Sequence, residues 1–202
     1  MSPKSRGRRR EQRRPSDRRR AQRRAAGDPV QTFVDQVLRE SSHLLDATSP
    51  IDVESFVSSA IGVWWSNPAG AGLGTALVGR AHQLATPEAA ALLHGLAALA
   101  EPGLSEAARA ALDDLADTGL VRPPWADAVG RAAVRECFTV EDILGDASQV
   151  IMTFGYADED AHAMVVLVDH NLGGLAKDIW IADDSPALLD QVRSSIADDS
   201  DL

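Results

Sequence analysis

Cysteine is almost absent from the sequence, because Cys137 is the only example among 202 residues. A disulfide within the chain and a cysteine-based zinc site both need at least two cysteines, so a secreted disulfide scaffold is excluded. Cys137 precedes Phe138 in an apolar segment, and we expect its side chain to pack in the core.

Long hydrophobic runs are also missing. No stretch of about 18 apolar residues occurs, so no membrane-spanning helix is expected. The basic amino terminus lacks the apolar segment of a secretory signal peptide. The glycine-rich stretch NPAGAGLGTA has neither the spacing nor the lysine of a phosphate-binding loop. We therefore expect a cytoplasmic protein with no membrane contact and no cofactor.

The charge of the chain is distributed unevenly over an ordinary globular composition, in which 45% of residues are apolar and 25% are charged. Residues 1–25 carry twelve basic and two acidic side chains, a formal charge of +10. Residues 26–202 carry eight basic and 28 acidic side chains, a formal charge of −20. The sequence thus predicts an acidic body with a basic tail.

Residues 1–27 have almost no apolar side chains. They cannot bury enough surface to offset the entropy of ordering, so we predict a disordered, arginine-rich tail. Such a tail suits an anionic polymer, for example nucleic acid or the ribosome, although it could also fold loosely over the acidic body. The residues expected to bind nucleic acid are Arg8, Arg9, Arg10, Arg13, Arg14, Arg18, Arg19, Arg20, Arg23 and Arg24.

Apolar residues recur at helical spacing through residues 28–120. Asp28 and Thr86 each precede a proline and are expected to cap helices at their amino termini, and Ser105 is expected to cap a later helix. The prediction for this region is a small bundle of four or five helices with short connections.

Beyond residue 120 the hydrophobic pattern shifts toward a period of two. Four short segments rich in β-branched or aromatic residues alternate with turn-forming clusters, which predicts an antiparallel meander. Ser185 is expected to cap a final helix. The fold class is therefore α+β, a small N-terminal helical bundle followed by a C-terminal antiparallel β-meander with a closing helix. We expect 121–202 to pack with 28–120 as one compact unit.

The motif that most invites a functional interpretation is HAMVVLVDHNLGGLAKDIWIADD, residues 162–184. A turn closed by Gly174, with a positive φ there, would place Asp169 opposite or diagonal to Lys177 and make a structural hairpin. A turn one step shifted would instead place Asp169 opposite Asp178, and two carboxylates so close favour a bound cation. The first register is preferred.

Acidic side chains precede this hairpin, where Asp158, Glu159 and Asp160 are followed by His162. These groups could collect a divalent ion, but their spacing is not that of a calcium loop, and a solvated turn is the preferred interpretation.

The segment VVLVDHNLGGLAKD, together with LGD and TFGY before it, resembles a pattern in uncharacterised proteins of high-GC bacteria. The resemblance covers roughly residues 120–184 and implies no known activity.

Two functions are compatible with these patterns. The first is a non-enzymatic adaptor or regulator whose tail holds an anionic partner while the body contacts a protein. The alternative is a metal-assisted hydrolase that uses Asp169 and Asp178, with His170 as a third candidate. The register of the hairpin distinguishes the two.

Overall fold

The computed structural model describes residues 28–65, 70, 72–157 and 161–200, with the side chains of the last helix as far as residue 195. The helical region contains α1 (Pro29–Glu40), a 3-10 helix (Ser41–Leu45), α2 (Pro50–Trp65), α3 (Leu73–Leu84), α4 (Pro87–Leu99) and α5 (Pro102–Asp114). Short 3-10 helices follow at Ala116–Thr118 and Pro124–Asp127. The chain ends with β1 (Ala133–Glu141), β2 (Ala147–Gly155), β3 (His162–Asp169), β4 (Leu175–Ala182) and α6 (Ser185–Ser200). The predicted α+β class is confirmed.

Two of the predicted helix caps are confirmed. The Asp28 carboxylate accepts a hydrogen bond from the backbone N–H of Val30 at 3.1 Å. The Thr86 hydroxyl accepts one from the backbone N–H of Ala89 at 3.3 Å. Each satisfies an N–H group that the helix itself leaves without a partner.

The other two predicted caps are wrong. Helix α5 begins at Pro102, three residues before Ser105, because proline is favoured at a first helical position. Ser105 is buried inside the helix, where its hydroxyl donates to the backbone oxygen of Ala97 at 2.6 Å. At α6 the side chain of Asp184, rather than Ser185, accepts the first-turn N–H bond.

Helix α4 is the centre of the helical region. It is apolar around most of its circumference, as expected for a helix largely surrounded by protein, and it contacts α1, α2, α3 and α5. Gly95 lets α2 come close, since a Cβ at this position would lie 2.6 Å from Cγ2 of Val57. The buried residues of α4 are Ala89, Ala90, Ala91, Leu92, Leu93, Gly95, Leu96 and Ala97.

The strands pair in the order β1-β2-β3-β4, antiparallel throughout. Helix α6 covers one face of this sheet, and its Leu188, Leu189 and Val192 pack there against Ile151 and Val165. Leu188 and Leu189 lie four and three positions before Val192, so all three are on one side of the helix.

Each outer strand of the sheet contains a β-bulge. On β1 the register shifts between Val134 and Glu136, which leaves Arg135 as the extra residue. On β4 Leu167 pairs with Asp178, but the next pair joins Val168 to Ala176, which leaves Lys177 as the extra residue. A bulge bends its strand and increases the local twist.

The helical region and the sheet meet near the end of β2. Ile51 of α2 is buried together with Phe154 and Tyr156. In the segment before β1, the indole N–H of buried Trp125 donates to the backbone oxygen of Leu44 at 2.8 Å. These contacts connect the start of the sheet to the first half of the helical region.

The close approach of α2 to α4 gives a test of the fold. We expect Gly95→Ala to lower the free energy of unfolding, because overpacking a core costs about 1–3 kcal/mol, whereas alanine gains only about 0.5–1 kcal/mol over glycine in a helix. Gly79→Ala is the matched control, since a Cβ there meets nothing within 4 Å. The control should raise stability in urea denaturation, and a stabilised Gly95→Ala would contradict the packing.

Candidate functional site

The β3–β4 hairpin adopts neither of the two registers expected from its sequence. Asp169 pairs with Leu175, and Asp178 pairs with Leu167. Direct pairing of Asp169 with Lys177 and direct pairing of Asp169 with Asp178 are therefore both wrong, whereas the expected diagonal placement of Lys177 beside Asp169 is confirmed.

The turn explains the error. The backbone oxygen of Asp169 accepts from the N–H of Gly174 at 3.1 Å, and its carboxylate accepts from the N–H of Leu172 at 3.2 Å. Gly173 and Gly174 both have positive φ, +81° and +77°, so the turn is a longer one in which two glycines use the left-handed region. The positive φ expected at Gly174 is confirmed.

The charged groups at the turn form one ion pair. The Nζ atom of Lys177 lies 3.6 Å from Oδ2 of Asp169, diagonally across the strands. Oδ1 of Asp178 accepts instead from the backbone N–H of Ile179 at 2.9 Å. The carboxylate pair on which the hydrolase hypothesis was based is not formed. Within the described ranges, no three His, Cys, Asp or Glu side chains are grouped as a metal site would require.

The two histidines of this region make structural contacts. The Nε2 atom of His170 lies 3.0 Å from the hydroxyl oxygen of Ser148. His162 is buried, and its ring centroid lies 5.7 Å from that of Phe154 and 6.3 Å from that of Tyr156. The acidic cluster at 158–160 lies outside the described residues.

The register decides which side chains of β4 face α6. Trp180 pairs with Val165, and both lie on the covered face. Trp180 is nevertheless 40% exposed. Ile179 and Ile181 point to the opposite face, where they are 57% and 41% exposed.

This second face of the sheet, which we call the open face, is apolar across the strands. It is formed by Val134, Val150, Met152, Met164, Val166, Ile179 and Ile181, all half-buried or exposed. Cys137 pairs with Met152 on the same face and is exposed, so the expectation that it packs in the core is wrong. An uncovered apolar face of this kind is typical of an interaction surface.

A groove of about 390 Å³ extends the open face toward α2. Its sheet side is formed by side chains such as Met152, Phe154 and Met164, and its helix side by Ile51 and Ser55. The groove is therefore apolar along the sheet and more polar along the helix.

A signal for the open face is present in the sequence. In β4 both alternating sets of side chains are apolar, Ile179 with Ile181 and Trp180 with Ala182. Such a strand suits a sheet that is covered on both faces. Since α6 covers only one face, the second set of apolar side chains marks the face that is left open.

The ten tail arginines expected to bind nucleic acid, from Arg8 to Arg24, lie outside the described residues.

No protein-family model matches the chain, and comparisons with curated proteins and with solved structures find no match. None of the helices in the described ranges is long and apolar enough to cross a membrane.

The hairpin turn gives a second test. Gly174→Val should destabilise the protein by at least about 1–2 kcal/mol, because a β-branched residue is strained at φ +77° even though no atom lies within 4 Å of the new Cβ. Asp169→Asn should cost less, since an ion pair with an exposed lysine contributes about 0–1 kcal/mol. Melting temperatures of the two variants measure the order, and an equal or reversed order would contradict the turn.

Proposed function

We propose that this protein is a non-enzymatic adaptor or regulator. Its body binds a partner protein through the open face, and its arginine-rich tail holds an anionic polymer such as RNA. The body and the tail then act as two separate contact regions on one chain.

The observation that carries the proposal is the unequal cover of the sheet. One face buries Ile151 and Val165 under α6, whereas the other presents Val134, Ile179 and Ile181 to solvent. Contact between these apolar side chains and water is unfavourable. A protein partner that covers the face removes this contact.

Charge indicates what kind of partner fits the open face. Residues 26–202 have a formal charge of −20, so an acidic partner would be repelled as it approached. We therefore infer a partner that presents an apolar patch surrounded by basic side chains.

The opposite charges of the tail and the body indicate different roles for the two. Twelve basic side chains lie within residues 1–25, and phosphates paired with them would release condensed counterions. The acidic body repels phosphate, so the tail would tether the protein to nucleic acid without reading its sequence.

A cytoplasmic location belongs to the same proposal. The chain has one cysteine, and its thiol is exposed rather than paired in a disulfide. A reducing compartment suits such a thiol, and an anionic polymer such as ribosomal RNA is abundant there.

Cys137 provides a direct test of the open face, because it is the only thiol in the chain. In a nuclease-treated extract of the source cells, alkylation of Cys137 in the full-length protein should become slower than in buffer, since a docked partner shields it. The double variant Ile179→Ser and Ile181→Ser should lose this protection, while Leu172→Ser, at an exposed leucine in the hairpin turn, should keep it. Equal alkylation rates in extract and buffer would refute docking on this face.

The tail has its own test in the full-length chain. Replacing the ten tail arginines with glutamine should abolish RNA retention, whereas replacing the same ten with lysine should preserve it. For the natural sequence and the lysine variant, the logarithm of affinity should fall with the logarithm of salt concentration, by ~0.7 per phosphate contacted on single strands. Retention by the glutamine variant, or affinity independent of salt, would contradict the tether.

A further inference from the structure

A second cavity, which we call the arginine cleft, opens in the helical region far from the hairpin in sequence. It has a volume of about 630 Å³, within the range of small-molecule sites. Helices α4 and α5 form one side, and the segment between α5 and β1 forms the other. More of its wall is polar than apolar, and the apolar part comes from Ala90, Leu112, Leu115, Leu120 and Val129.

Positive charge is concentrated at this cleft. Arg109, Arg122 and Arg131 line it, and they are three of the eight basic residues in 26–202. The carboxylates near them are Asp113, which also lines the cleft, and Asp127, which pairs with Arg122. In a body of formal charge −20, a cleft with more cations than anions in its wall is a local exception.

The arginines keep donors available for a ligand. Arg109 uses Nη2 to donate to the backbone oxygen of Ala97 at 2.8 Å, which leaves most of its five N–H groups. Across the described part of the chain, the Arg131 side chain makes no hydrogen bond or ion pair. A planar guanidinium can bind a carboxylate or sulfonate through two parallel bonds.

His94 also lines the cleft and is half-buried. Burial lowers the pKa of His94, and the positive charge of Arg122 lowers it further, while Asp127 acts in the opposite direction. With its pKa lowered mainly by burial and next by Arg122, the imidazole is neutral at neutral pH and can both donate and accept a hydrogen bond.

We propose that the arginine cleft binds a small organic anion with an apolar body, whose carboxylate or sulfonate pairs with Arg131 and whose apolar part packs on the alanine and leucine wall. The ligand of the cleft is separate from the partners proposed for the open face and the tail, and it does not depend on them.

The test uses two fluorescent probes that share one ring system. Anilinonaphthalene sulfonate carries the anion, and phenylnaphthylamine lacks it. The full-length protein is titrated with each at moderate salt, which screens the tail. We expect the sulfonate probe to bind more tightly than the neutral one. Arg131→Gln should weaken sulfonate binding about tenfold, the scale of one charge-assisted hydrogen bond.

Matched variants separate the cleft from other surfaces. Arg39→Gln removes the same charge from an exposed position on α1 and should leave binding unchanged. Arg131→Lys should restore part of the affinity, and Ile179→Ser, on the open face, should leave it unchanged. The proposal is overturned if Arg131→Gln and Arg39→Gln bind alike, if both probes bind equally, or if Ile179→Ser abolishes binding.

Discussion

The burial of most of α4 among its neighbours is the constraint on which the rest of the structure depends. Its alanines and Gly95 make a narrow cylinder, and dispersion contacts become strong only when neighbouring helices approach closely. Helices α2, α3 and α5 all pack on α4, and α3 also packs on α1 and α5. Because α2 also contacts the sheet through Ile51, the position of the sheet follows from the packing of α4.

Much of this fold could be predicted from local sequence signals. Thr86 and Pro87 mark the start of α4, and the alternating segments after residue 120 mark the strands. The hairpin register could not be predicted, because it depends on whether one glycine or two adopt positive φ. Both turns are compatible with the alternation of side chains along the strands. Ser105 was misassigned for a related reason. The sequence is compatible with two helix starts, one at Pro102 and one capped by Ser105, and the helix uses the first.

The two candidate surfaces differ in how visible they are in the sequence. The open face is a regular feature of β4, where apolar positions outnumber the cover available, so a residue count could have found it. The arginine cleft has no such pattern. Arg109 comes from a helix, and Arg122 and Arg131 come from an irregular segment, so only the packing of that segment on α4 brings them to one cavity. Sites of this second kind are not recognisable from spacing.

The bulges at the two margins of the sheet have a consequence for how the protein behaves in crowded solution. In an exposed apolar sheet with straight outer strands, each outer strand could pair with a strand of another copy. Repeated pairing of this kind is how sheets grow into fibrils. Here each outer strand is kinked, and the extra residue at each kink is a cation, Arg135 on one margin and Lys177 on the other. An incoming strand would meet an edge that bends and twists away from regular pairing. The open face can therefore stay uncovered while the outer strands resist the strand-to-strand pairing that leads to polymers.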